Sequence, residues 1–349
     1  MLQLQSMRDL VRNLGLYPIP QELQSMRNLL KAWVILFCFV VIFLINAYIR
    51  FKLSIFVKFS IISPTFHRSS LMFFNKAFWN AILYLINKKK IKIIISGINL
   101  NNMNSTSAVS TTDMKDIKLQ DFKNSVVISN HRSLFDFILI YYLKTMMETT
   151  THQEINLSFF NWNEIWSTPN LSLLWAILNN DENWEYNKVQ LEKTLRNMVN
   201  ESDPAKTSNW IVHFPEVNIF DEKTHSAQTH QADKFYLPKL NELLYPRFNN
   251  FSNLIAILQK SNSGFYGFKN LIDLTILYYN PLKNMFVQPK LFEILSLKQP
   301  ILIINIDLKF KPLNKLPFKQ RKLEKWLELD WCEKDKVIEV MQKNMRIDE

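Results

Sequence analysis

Ser129-Asn130-His131-Arg132-Ser133-Leu134-Phe135-Asp136 decides how this chain is read. The short apolar run Ser125-Val126-Val127-Ile128 before it has the character of a buried strand, and Phe137 to Leu143 after it that of a helix. A histidine at a strand end with an aspartate five residues on suits a base and the carboxylate that orients it. Five residues of regular helix turn about 500°, leaving the two side chains roughly 140° apart, so a helix alone cannot bring them together. They meet if His131 stands in the loop and Asp136 in the first helical turn. Ser133 as N-cap with Asp136 three residues later satisfies that condition. Such a site stands at a helix N-terminus, where backbone N–H groups and the dipole favour anions. Spacing alone is a weak signal, because Ser-x-x-Asp reads equally as a capping motif.

Composition narrows the choices. The 349 residues are 48% hydrophobic and carry a formal charge of +11, which excludes low-hydrophobicity disorder and favours anionic surfaces. With only Cys38 and Cys332, far apart, neither a disulfide framework nor a zinc site is expected. Four glycines, Gly15, Gly97, Gly264 and Gly267, leave no Gly-rich phosphate loop. Nucleic-acid binding has no recognisable module to support it.

Outward from the motif, residues 1–28 read as a polar to amphipathic segment. Residues 29–87 read as a membrane-anchoring helical region, whose apolar run from Ala32 to Tyr48 reaches the length of a bilayer-crossing helix. It starts too late for a cleaved signal peptide. Leu53 to Phe66 and Leu71 to Ile86, broken by Pro64 and His67-Arg68, complete a re-entrant or interfacial hairpin. Lys88-Lys89-Lys90 and Lys92 read as a collar against anionic lipid, or equally as a solvated charge run.

Residues 88–312 then read as a separate domain that carries the His131 motif. Strands are expected at Ile91 to Ser96, Asn209 to Phe214, Leu271 to Tyr279 and Ile301 to Phe310, a polar insertion at Asn101 to Asp116, and helices at Leu171 to Leu178 and Gln190 to Val199. The Asn209 strand delivers Pro215 and Glu216 to its C-terminal end, where α/β sheets gather ligands, so Glu216 and His131 face one crevice. Alternation puts His213 on the opposite sheet face from Phe214, as a structural residue. Residues 313–349 form a basic, amphipathic helical tail around Trp326 and Trp331.

Asn130-His131-x4-Asp136 followed by Phe214-Pro215-Glu216 resembles the first and third signatures of the glycerolipid (lysophosphatidic acid-type) acyltransferases, Asn-His-x4-Asp and Phe-Pro-Glu-Gly-Thr, in the same order and about 85 residues apart. Tyr245-Pro246-Arg247 resembles their later proline motif and Leu271 to Thr275 the strand after it. Phe59 to Pro64, Ile91 to Gly97 and Trp326 to Lys336 resemble the lysocardiolipin and lysophosphatidylinositol branch, so that the likeness covers most of residues 30–340. The resemblance implies an α/β acyltransferase-type domain, a mixed sheet flanked by helices, on N-terminal membrane helices. It implies acyl-CoA as co-substrate and a lysophospholipid acceptor, with no metal or other cofactor, on an internal membrane such as the endoplasmic reticulum.

Carried over residue by residue, His131 is the general base and Asp136 its orienting acid. Glu216 grips an acceptor hydroxyl, with Asn130, Phe214 and Pro215 completing the substrate site, and Arg132 and Arg247 are phosphate ligands. Phosphatidylinositol remodelling is the expected role. Acylation of 1-acylglycerol-3-phosphate or lysocardiolipin, a non-catalytic scaffold of the same fold, and a hydrolase or transacylase are the alternatives. Two departures stand out. Val217-Asn218 replaces Gly-Thr, and a β-branched valine resists the positive φ that a glycine accepts, so a different loop is expected. The arginine usual after Gly-Thr gives way to Ile219-Phe220-Asp221, which suits a larger headgroup than lysophosphatidic acid. Leu178 to Trp184 likewise lacks the arginine of the second signature.

Overall fold

The computed structural model describes residues 21–59, 63–87, 91–96, 124–161, 164–166, 188–200, 207–259, 267–289, 294 and 302–347. Expectations for residues 1–20, the Lys88-Lys89-Lys90 run, the Asn101 to Asp116 insertion, the Leu171 to Leu178 helix and the segment Leu178 to Trp184 lie outside the described residues.

A mixed sheet forms the centre. Its strands are β1 (Lys92–Ser96), β2 (Ser125–Ser129), β3 (Glu154–Asn161), β4 (Glu164–Trp166), β5 (Thr207–His213), β6 (Asn270–Asn280), β7 (Met285–Phe286) and β8 (Ile303–Pro312). They lie in the order β1-β8-β6-β2-β5-β3-β4, with β7 added on β6. β2 runs parallel to both neighbours, β5 and β6, while β8 is antiparallel to β6. A strand buried on both faces reads as a continuous apolar run, and every residue of β2 is buried.

Helices cover both faces. They are α1 (Gln21–Lys58), α2 (Pro64–Asn87), α3 (Phe135–Thr151), α4 (Lys188–Asn200), α5 (Glu222–Phe235), α6 (Phe248–Gln259) and α7 (Gln320–Ile347). Alternation along β2 sends Val127 into the core under α2 and α3, and Val126 and Ile128 into the core under α4, α6 and α7. The first core is aromatic: Trp79 of α2 stacks on Tyr141 of α3, with centroids 4.8 Å apart, and leans on Phe159 of β3. Ser63 accepts the Phe66 N–H at 3.2 Å and Pro64 opens the helix, a start signal that separates α2 from α1.

The bilayer-crossing helix expected at Ala32 to Tyr48 is corrected. Among the described residues no helix is long and apolar enough to cross a membrane. The run is helical but lies within α1, packs beside α2 and lays Ile42 against the first core, so part of its apolar surface is spent on the domain itself. Trp33, Phe37, Leu44 and Tyr48 remain exposed along the same helix. The boundary drawn at residue 28 falls inside α1, and the tail beyond residue 312 packs Leu323, Leu327 and Trp331 into the second core.

Candidate active site

Register assembles the site. β2 pairs with β5 so that Ile128 stands opposite His213, and three residues further along the chain from each, beyond the strand ends, are His131 and Glu216. β2 also pairs Ser129 with Leu274 of β6, which continues to Asn280 and so carries Tyr278 past the end of β2.

His131 is buried in the loop after β2. Its ring stacks on Phe214 at 4.3 Å and meets Phe137 edge-on at 5.5 Å. Nδ1 lies 2.9 Å from Asp136 Oδ2. The ionised carboxylate can only accept, so Nδ1 carries the proton and Nε2 offers its lone pair. The same Oδ2 accepts the backbone N–H groups of Arg132 (2.7 Å) and Ser133 (2.9 Å), and Oδ1 accepts the Tyr278 hydroxyl. Burial, then the adjacent Asp136 charge, raises the Tyr278 hydroxyl well above its ordinary range, which keeps it a donor.

The capping bonds expected of Ser133 and Asp136 form, one residue ahead of the helix boundary. Leu134, at that boundary, already has helical φ −57 and ψ −19, and its side chain makes no capping bond. Asp136, at the second helical position, reaches back to the loop N–H groups itself. Ser133 Oγ accepts the Phe135 N–H at 3.1 Å, the reciprocal half of the cap, and donates to Pro289 O at 2.6 Å.

The other predicted residues gather round the histidine, in roles the sequence did not suggest. Asn130 clamps β6, donating to Ile276 O (2.9 Å) and accepting Ile276 N–H (2.7 Å). Arg132 is buried, donates to the Glu242 carbonyl and carboxylate, and lies over the Phe220 ring at 4.6 Å. The carbonyl of Pro215 accepts Arg247 N–H at 2.7 Å, which places half-buried Arg247 beside the Phe-Pro-Glu turn.

Glu216 is 1% exposed. Its Oε2 accepts the backbone N–H of His131 at 3.0 Å, and its Oε1 accepts the indole N–H of Trp331 at 3.3 Å. Burial pushes its pKa up to about 8, only partly offset by the His131 N–H, Arg132, Trp331 and Lys334. With both oxygens engaged inside the protein, this carboxyl shapes the loop that holds the base.

Val217 overturns the expectation of a different loop. It adopts φ 65 and donates to Phe214 O at 3.0 Å, so the turn that favours glycine forms with valine in it. A β-branched residue in that region costs on the order of 1–3 kcal/mol, and the packed surroundings must hold it there. Val217 is buried.

Sequence reading found neither Tyr278 nor Trp331 as site residues. The one hint was the likeness at Trp326 to Lys336, which carried no chemistry. Among the described residues no group of His, Cys, Asp and Glu is placed to hold a metal.

Comparison with known proteins bears on this geometry. A Schizosaccharomyces pombe protein named "Uncharacterized acyltransferase C428.14" is 22% identical to this chain over 227 residues. The match covers 63% of this chain and 60% of that protein, less than two thirds of its length. No family model matches, and no solved structure matches with significance. At this site, then, a mixed α/β sheet holds a hydrogen-bonded His131–Asp136 pair in a chain distantly similar to a protein named as an acyltransferase.

Proposed function

We propose that the protein is an acyl-CoA-dependent lysophospholipid O-acyltransferase, with lysophosphatidylinositol as acceptor and phospholipid acyl-chain remodelling as its role. The observation that carries this reading is His131, with Nδ1 held by a carboxylate that takes four hydrogen bonds and its ring clasped between Phe214 and Phe137. An imidazole so held is a general base with fixed tautomer and direction.

His131 Nε2 takes the proton of the lysolipid hydroxyl while that oxygen attacks the thioester carbonyl. Collapse of the tetrahedral intermediate forms the ester, breaks the C–S bond and expels CoA thiolate, which recovers the proton from the imidazolium. Headgroup contact is assigned to Arg247 on its place beside the Phe-Pro-Glu turn, while Arg132 donates to Glu242 and lies over Phe220. The exposed apolar side chains of α1 and α2, among them Trp33, Phe37, Phe66 and Phe73, would seat the hairpin in the interface of an internal membrane such as the endoplasmic reticulum. The turn persists at Val217 despite its steric cost, which favours a working site over a degenerate one.

Purified protein is to be incubated with radiolabelled acyl-CoA and a panel of lysophospholipids. Acyl transfer with CoA release that requires the acceptor is the expected result, strongest for lysophosphatidylinositol. CoA release without acceptor would make it a thioesterase, and absence of transfer to every acceptor would remove the reading.

A further inference from the structure

Three residues on one face of α7, Trp331, Lys334 and Asp335, stand at i, i+3 and i+4, and each reaches a different wall of the His131 loop. Trp331 donates its indole N–H to Glu216, whose other oxygen holds the backbone N–H of His131. Lys334 donates to Leu274 O at 2.6 Å, the β6 residue paired with Ser129, and to the Asp273 carboxylate. Asp335 accepts the backbone N–H groups of Asn241 (2.9 Å) and Glu242 (2.8 Å), and Glu242 receives the Arg132 guanidinium. Every one of these side chains except Glu242 and Asn241 is buried.

We infer that α7 is a positioning element of the active site, and that Trp331, acting through Glu216, sets where His131 stands. The indole could have filled the second core as a phenyl ring would. Its single polar atom is instead spent on the carboxyl group that grips the base's own backbone. A buried indole N–H needs an acceptor, and a buried carboxyl needs donors, so each constrains the other. Small displacements of a base relative to its substrate cost rate without weakening binding. Only the kinetic arm of the test rests on the acyl-transfer reading.

Trp331→Phe keeps most of the packing and removes the donor. In the full-length protein we expect kcat to fall about tenfold, with KM for donor and acceptor unchanged. Hydrogen exchange should quicken in the peptide spanning 129–137 and stay unchanged in the α6 peptide 248–259. In a Glu216→Ala background the same change should have no further effect on either readout. Asp335→Asn, which weakens the hold on the Glu242 turn, should loosen 129–137 by itself and serves if Trp331→Phe does not fold. Unchanged exchange at 129–137, or equal quickening in both peptides, overturns the inference. Local quickening in Trp331→Phe, with a wild type that transfers no acyl group, would keep the inference and sink the proposed function.

Discussion

His131 and His213 sit three residues apart in register at neighbouring strand ends, each 1% exposed and each packed against aromatic rings. They lie on opposite faces of the sheet. The Nδ1 of His131 meets a carboxylate that is itself fastened by two backbone N–H groups and a tyrosine. Among the described residues that of His213 meets only the Phe160 carbonyl at 3.4 Å and its buried Nε2 has no partner, and burial pushes its pKa down to about 4. Burial and aromatic packing are common to both rings. His131 differs in its anionic partner, which would stabilise the imidazolium that proton abstraction creates in the proposed reaction.

The largest effect expected follows from this contrast. His131→Ala should lower acyl transfer by about 10²–10⁴-fold, whereas His213→Leu should leave kcat within a few-fold of wild type. The labelled acyl-CoA assay measures both, and equal losses would erase the distinction. Next, Tyr278→Phe removes one of the four bonds that fasten Asp136, and kcat should fall about tenfold, as when a positioned donor is lost beside a charge. A fall no greater than that from His213→Leu would show that the two backbone N–H groups hold Asp136 without it.

A third effect concerns pH. Glu216 titrates near 4.5 when unfolded and near 8 when folded, so between those values the unfolded chain binds fewer protons. Stability should then fall as pH rises across that window, on the order of a few kcal/mol. His213 acts with the opposite sign: its folded pKa lies below 6.5, so its contribution is lost as pH falls from there towards 4. Urea unfolding at pH 5, 7 and 9 should show a smaller loss from pH 7 to 9 in Glu216→Gln, and less acid destabilisation in His213→Leu. The smallest effect belongs to the turn between the two histidines. Val217→Gly should cost only about 1 kcal/mol, below the roughly 2–4 kcal/mol of a comparable cavity elsewhere, because relief of the positive φ offsets lost packing.

Much of this was legible before folding. The strand Ser125–Ser129, the helix over Phe137 to Leu143 and the strands that the structure runs over Thr207–His213, Asn270–Asn280 and Ile303–Pro312 follow from apolar runs and breakers, which act locally. His131 and Asp136 were legible as a pair because one loop and one helical turn suffice to join them. The indole donor on Glu216 was not, since 115 residues separate the two and no local pattern encodes that contact. Nor was the use of α1: a long apolar run looks alike whether its surface meets lipid or a neighbouring helix and the core.

By itself the sequence determined some of the elements (not β3, β4, β7, α5 or α6), the order of the motifs and the alternation of strand residues between faces, all set by short-range sterics and hydrophobic periodicity. Tertiary structure alone decided that Glu216 holds the backbone of the base, that Tyr278 fastens Asp136, and that a valine stays in a turn suited to glycine. Those outcomes depend on which buried polar groups find one another once water is excluded, a matter of the whole fold's geometry.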